Sequence, residues 1–232
     1  MKTLFIIPAR KNSKGLPGKN TKSLQGKPLV QYSLETALEL TSKENICVTT
    51  DSEDVIKIAE NLGIHVPFLR PAELATDSAG SREVILHALN HYKQQGIQYD
   101  AVVLLQPTSP FRKSSDVLRM IEMFDEETDM VVSVKSSHEN PYFSMFEENE
   151  SGFLELVKRG SFARRQDCPK VYVFNGSVYV IRVTSYETKA SSDFQRIKKF
   201  VMDDLHSIDI DVLFDWMVAE MILEKKLISP SN

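Results

Sequence analysis

Residues 100–110 read DAVVLLQPTSP. The unbroken apolar run from Ala101 to Leu105 shows neither the alternation of a half-exposed strand nor the spacing of an amphipathic helix, so it reads as a strand buried on both faces. It breaks off into Gln106, Thr108 and Ser109, neutral hydrogen-bonding groups at a strand end, fixed by Pro107 and Pro110. A doubly buried strand needs cover above and below, and the flanking sequence supplies it. Upstream, SREVILHALNHYKQQG has helical spacing and stops at Gly96. Downstream, SSDVLRMIEMFDEE is a further helix and DMVVSVKSS a further strand.

The same alternation runs back to the first residues. LFIIPA (4–9) reads as a buried first strand, and a Gly- and Lys-rich loop (10–28) follows. In PLVQYSLETALEL the apolar positions Leu29, Val30, Leu34, Ala37, Leu38 and Leu40 fall on one helical face. NICVTTD (45–51) is a second strand, SEDVIKIAENLG a helix with Ser52 as N-cap and Gly63 as stop, and IHVPFLR (64–70) a third, short strand. Repeated strand and helix with near-continuous apolar strands predicts an α/β fold: a mostly parallel sheet covered by helices on both faces. Ligands in such sheets sit at the carboxyl ends of the strands. Those ends carry Arg10 and Lys11, Asp51, Arg70, and Gln106 to Ser109.

Beyond Ser137 the pattern changes. Pro141, Gly152, Gly160 and Pro169 punctuate short runs, which predicts a small hairpin-rich arm at about 138–172 inserted into one domain spanning 1–232. VYVFNGSVYVI (171–181) regains strand character, with Asn175-Gly176 placed like a hairpin turn. The stretch 184–203 is polar and mixed. IDIDVLFDWMVAEMILEKK then gives an extended piece and a last helix, with Trp216 packed into core.

Bulk properties exclude several classes. Of 232 residues, 42% are hydrophobic and 26% charged, and the net charge is −4, the wrong sign for a protein that wraps a nucleic-acid polymer. Two cysteines far apart, Cys47 and Cys168, indicate neither zinc site nor disulfide framework and fit a reducing cytoplasm. The run Leu4–Ile7 is too brief for a signal core, and no stretch approaches the length of a membrane span. The histidines show no metal spacing; His87 and His91, four apart on a helix, read as packing or surface residues.

Three constellations carry chemistry. ARKNSKGLPGKN (9–20) holds Arg10, Lys11, Lys14 and Lys19 among glycines 15 and 18, directly after strand one, which suits a polyphosphate cradle although the order is not that of a P-loop. LLQPTSPFR (104–112) offers Gln106, Thr108 and Ser109 to a hydroxyl-rich sugar or a base edge, and alone it is equally an ordinary turn. In SIDIDVLFDW, Asp209 and Asp211 are two apart and point the same way on an extended segment, an arrangement that fits Mg²⁺; the alternative is that Asp211 caps the last helix. Arg164, Arg165 and Lys170 in RRQDCPK are further cations able to receive a carboxylate or phosphate.

Taken together, IIPARKNSKGLPGKN, RPAELATDSAGS, LLQPTSPFR, RRQDCPKVYVFNGSVYVI and DIDVLFD, in this order and over nearly the whole chain, resemble the acylneuraminate cytidylyltransferases. That resemblance implies a Rossmann-like nucleotidyltransferase core, a dimerisation arm, a homodimer, and Mg²⁺-dependent attack of a sugar's anomeric hydroxyl on the α-phosphate of CTP. It implies that Arg10, Ser13, Lys14, Lys19 and Asn20 form the CTP loop, with Arg10 and Lys19 catalytic. Arg70 and Ser81 become nucleotide contacts, Gln106 and Asn175 sugar contacts, and Asp209 and Asp211 metal carboxylates, with Asp211 also catalytic. Arg165 falls in the arm that, in the family, can reach the partner subunit's site. The partners expected are CTP and a nine-carbon acidic sugar, an N-acylneuraminate first, with legionaminic acid, pseudaminic acid or the eight-carbon Kdo as alternatives. A non-catalytic sugar-nucleotide binder is disfavoured because both carboxylates and cations are present. The family loop often has two small residues after the arginine, where this chain has Lys11-Asn12.

Overall fold

The computed structural model describes residues 1–228. In chain order the strands are β1 (Thr3–Pro8), β2 (Ser23–Leu24), β3 (Lys27–Pro28), β4 (Ile46–Thr49), β5 (Ala101–Leu105), β6 (Met130–Ser136), β7 (Phe146–Glu148), β8 (Leu154–Leu156), β9 (Tyr172–Arg182) and β10 (Ile197–Val201). The α-helices are α1 (Leu29–Leu40), α2 (Glu53–Asn61), α3 (Ser81–Gln94), α4 (Ser114–Glu122), α5 (Val183–Thr188) and α6 (Leu213–Glu224). Six strands form the main sheet in the order β10-β6-β9-β5-β1-β4. Neighbours are parallel except at β9, which runs antiparallel to both β5 and β6.

Alternation along β1 divides the core. Phe5 and Ile7 face a cluster with Val30, Leu34 and Ala37 of α1, Val55 and Ala59 of α2, and Val117 and Met120 of α4. Leu4 and Ile6 face the other side, with Ile85, Ala88, Leu89 and Tyr92 of α3 and Tyr186 of α5. Strand β5 is buried at every residue, as its apolar run requires. The Ser52 side chain accepts from Val55 N at 3.4 Å and caps α2. His87 packs edge-on against Phe68 with ring centroids 4.7 Å apart, which bears out its reading as a packing residue.

A third cluster positions the site. Leu16 and Leu24 from the basic loop, Leu29, Phe111, Ile210, and Trp216, Ala219 and Ile222 of α6 close on one another. The last helix is thereby docked on the loop after β1, and the segment leading into it is drawn across the carboxyl end of the sheet.

Three local readings are corrected. IHVPFLR is not a strand: only Leu69 bridges, to Thr50, because Pro67 lacks an amide proton and cannot sustain a ladder. Asn175-Gly176 is not a hairpin turn but lies inside the continuous β9. Gly176 takes φ +71° there, beside a register shift against Val132 and Val134, so the positive φ serves a bulge. The polar stretch 184–203 contains α5 and the sheet-edge strand β10. Between β6 and β9 the chain leaves the sheet, pairs β7 with β8, and returns, with Ser137 N donating to Val171 O at 3.1 Å across the base.

Candidate active site

The chain crosses from β1 to β4 on one side and to β5 on the other, so the connections diverge above β1, where α/β sheets open a crevice. A cleft of about 440 Å³ occupies that position. Its walls include Arg10, Ser13, Lys19 and Asn20 of the basic loop, Arg70, Ser81, Gln106, Asp209 and Asp211. The structure therefore gathers nine of the sequence-selected residues from five separate stretches of chain.

Each is held for an identifiable reason. Asn20, buried, donates from Nδ2 to Arg10 O at 2.9 Å and closes the loop on itself. Lys19, also buried, donates from Nζ to Ile210 O at 2.6 Å and to Asp211 Oδ1 at 2.9 Å. An ammonium has three donors, so one remains for a ligand. Gly15 meets this same segment: a Cβ there would stand 2.2 Å from Asp211 O. The glycine read as access for phosphate is thus required for loop and acidic segment to touch.

Arg70 is buried beneath the cleft, donating from Nε to Thr49 Oγ1 at 3.1 Å and from its guanidinium to Thr49 O. Burial lowers its pKa to about 10, which Asp51 opposes, and the side chain remains cationic near neutrality. Ser81 opens α3 behind Gly80. Gln106 is fixed by its backbone: its N donates to Ser177 O at 3.2 Å, and its O accepts from Ser33 Oγ at 3.3 Å and from Arg112.

Asp209 and Asp211 both face the cleft, in unlike surroundings. Burial raises the Asp209 pKa, with Thr108 pulling it back and Asp211 pushing it further up. Asp209 Oδ1 is buried and has no hydrogen-bond partner among the described residues. The Asp211 side chain is largely exposed and meets Lys19. It does not cap α6: Asp215 Oδ2 accepts from both Asp211 N and Val212 N at 2.9 Å, releasing Asp211 from that alternative. Ile210 N donates to Thr108 O at 2.8 Å, tying the acidic segment to the tip beyond β5. Among the described residues, no three His, Cys, Asp or Glu side chains gather as a metal site, so these two carboxylates stand without a third acidic, His or Cys side chain.

Three selected residues lie apart from the cleft wall. Lys14 stands at the rim, with Asp77 Oδ2 3.3 Å from its Nζ. Asn175 is buried, its Oδ1 accepting from Ser133 Oγ at 2.6 Å and its Nδ2 donating to Ser207 Oγ at 2.9 Å; its side chain lines a neighbouring cavity with Phe174, Phe214 and Asp209. Arg165 is exposed at the base of the arm, where Nη1 donates to His138 O at 3.0 Å.

Sequence reasoning missed four contributors. Asp77, Gly176 and Tyr179 line the cleft. Arg112 lies wholly buried below it, donating to Ser33 Oγ at 2.7 Å and Ser177 Oγ at 3.1 Å; burial pushes its pKa down to about 9 and Asp209 pulls it back. A Cβ on Gly176 would come within 2.7 Å of Asp209 Oδ2, so the bulge glycine makes room for that carboxylate. The Arg closing LLQPTSPFR was the available sign of Arg112, since a cation two residues from a Pro-fixed tip needs either solvent or acceptors.

The comparisons with known proteins agree with this architecture. The family model described as "Cytidylyltransferase" matches residues 4–213. The CMP-N,N'-diacetyllegionaminic acid synthase of Legionella pneumophila is 34% identical over 228 residues, covering 97% of each chain. The N-acylneuraminate cytidylyltransferase of Escherichia coli O18:K1:H7 is 36% identical over 227 residues, 97% of this chain and 53% of that longer protein. A solved CMP:2-keto-3-deoxy-manno-octonic acid synthetase complexed with CTP superposes with a TM-score of 0.70 over 97% of this chain and 100% of that one, at 16% identity, a likeness of fold.

Proposed function

This chain belongs to the cytidylyltransferase family, and on that premise we propose that it transfers CMP from CTP to the anomeric hydroxyl of an N-acylated nonulosonate and releases pyrophosphate. The observation that carries the proposal is the meeting of Lys19 with Asp211, which sets a buried cation beside two carboxylates on one bank of the cleft above β1.

Arg10, Ser13, Lys14 and Lys19 receive the triphosphate in this reading. Asn20 acts one step back, holding the Arg10 carbonyl and with it the curvature of the loop. Arg70 and Ser81 border the nucleoside end, and Gln106, on the β5 tip, faces the sugar. Displacement at phosphorus needs the hydroxyl, the α-phosphate and the leaving pyrophosphate in line, so the catalytic contribution is positioning and neutralisation of charge. Arg10 and Lys19 offset charge on the leaving pyrophosphate. Arg112 fixes the Gln106 carbonyl and Ser177 from below and keeps a positive charge near Asp209.

Asp209 and Asp211 suit Mg²⁺. An Asp209 Oδ1 that is buried without a partner among the described residues, beside an Asp211 that gives one oxygen to Lys19, is the donor set of a cation that takes one or two carboxylates and completes its shell with water and phosphate. When bound, the ion offers Lewis-acid stabilisation of phosphate oxygens.

For the sugar, the relatives named above divide between diacetyllegionaminic and N-acylneuraminic acids at nearly equal identity, so the proposal covers the N-acylated nine-carbon class with N-acylneuraminate as the first substrate to try. The proposal extends to a cytoplasmic homodimer joined through the arm at 138–172. Phe146, Phe153 and Leu154 of the arm are exposed, an apolar surface that a second copy would cover, and Arg165 travels with it. Release of pyrophosphate from CTP and Mg²⁺, assayed with N-acetylneuraminic, legionaminic and pseudaminic acids and with Kdo, tests the reaction and names the substrate. Turnover with Kdo alone would overturn the nine-carbon assignment.

A further inference from the structure

One acidic side chain in the cleft has no part in the reading above. Asp77 Oδ1 lies 2.7 Å from Arg10 Nη1, and its Oδ2 lies 3.3 Å from Lys14 Nζ, so a single carboxylate bridges two cations of the basic loop. It comes from residues 76–80, between the short turn Ala72–Leu74 and α3, a stretch without regular structure that also brings Thr76 and Ala79 to the cleft wall. Desolvation pushes the Asp77 carboxyl up, and the hydrogen bonds and charges of Lys14 and Arg10 together outweigh it, leaving it below the usual range. Lys19 is held instead by Ile210 O and Asp211.

We propose that Asp77 is an internal competitor for polyphosphate, pairing with Arg10 and Lys14 until nucleotide phosphates displace it and returning to them as pyrophosphate leaves. The proposal rests on the assignment of Arg10 and Lys14 to the phosphates. Three observations support it. The pairs are exposed on the Lys14 side, with 77% of that side chain accessible, so water screens them and they exchange readily. Asp77 offers one charge and one contact to each cation, whereas pyrophosphate or a triphosphate brings several charges and more acceptor oxygens to the same donors. The segment carrying Asp77 is not tied into sheet or helix, so its withdrawal disrupts no ladder.

The consequence is selective. A ligand that needs Arg10 and Lys14 binds with an affinity reduced by the fraction of molecules in which Asp77 holds them, while a ligand confined to the nucleoside end does not sense it. Asp77 thereby weakens retention of the product pyrophosphate without altering recognition of cytidine.

Calorimetric titration of the intact protein and its Asp77→Asn variant with inorganic pyrophosphate and with cytidine tests this. The variant is expected to bind pyrophosphate about 2- to 5-fold tighter at low salt, the size of an exposed ion pair. The gain should fade near 0.5 M salt, and cytidine affinity should stay level. Equal or weaker pyrophosphate binding by Asp77→Asn overturns the proposal. Arg10→Ala separates the two levels. If it loses pyrophosphate while Asp77→Asn changes nothing, the phosphate site stands and the competitor role falls. If Arg10→Ala binds pyrophosphate as well as the parent, the phosphate assignment itself is wrong and Asp77 falls with it.

Discussion

Lys14 and Lys19 lie in the same basic loop, yet the structure treats them as opposites. The Lys19 side chain is 6% accessible and anchored to Ile210 O and Asp211, while that of Lys14 is 77% accessible and pairs with Asp77. Behind Lys19 stands the third core cluster, in which Leu16 and Leu24 of the loop pack with Trp216, Ala219 and Ile222 of α6. Behind Lys14 there is an irregular segment and solvent. The Lys19 bank is thus fixed by packing, and the Lys14 bank is, on the proposal above, the one that nucleotide phosphates rearrange. A buried cation fixed against a carboxylate costs no reorganisation at the moment of reaction, which is what transition-state stabilisation asks. An exposed pair that trades partners suits binding and release.

Substitutions on the two banks should therefore differ in kind. Asp211→Ala removes a proposed metal carboxylate and the Lys19 partner together, and kcat is expected to fall on the order of 10²- to 10³-fold while cytidine binding persists. A variant with undiminished turnover and unchanged Mg²⁺ dependence would erase the distinction between the banks. Trp216→Ala empties the cluster that joins loop to last helix; chemical denaturation should register a loss of about 3–5 kcal/mol. Gly176→Ala forces a Cβ against Asp209 Oδ2 at a positive φ, so about 1–2 kcal/mol of stability should go. Its kcat should drop more than its CTP affinity, because the displaced group is a carboxylate rather than a phosphate contact. On the exchangeable bank, Lys14→Ala should raise the KM for CTP only about 2- to 5-fold and leave kcat near the parent value. A large kcat effect there would show that the outer bank also takes part in the chemical step.

The same contrast explains what the sequence disclosed. Strand β5 was legible because five apolar residues buried on both faces admit few alternatives, and α2 because Ser52 caps it. The cations of residues 10–19 and the pair Asp209 and Asp211 were legible as chemistry because their spacing has physical meaning on a loop and on an extended segment. Residues whose role depends on a meeting across the fold were not. Asp77 is an unremarked acid until Arg10 is seen 2.7 Å away, and Gly176 looks like a turn residue until Asp209 fills the space above it. Strand β10, IKKFV, hides behind its charges because an edge strand pairs on one side only and tolerates polar residues. The segment IHVPFLR misleads in the other direction, since its apolar content serves packing and Pro67 denies it a ladder.

In the proposed function, the cleft joining Arg10 and Lys19 to Asp209 and Asp211 transfers CMP to an N-acylated nonulosonate. Its most direct test is pyrophosphate release by the purified chain with CTP and Mg²⁺, run against N-acetylneuraminic, legionaminic and pseudaminic acids and Kdo, with the Asp211→Ala protein alongside. Release is expected with at least one nine-carbon acid, abolished by chelation of the metal and cut on the order of 10²-fold or more in the variant. Silence with every nine-carbon acid while CTP still binds, or equal release by Asp211→Ala, would contradict it.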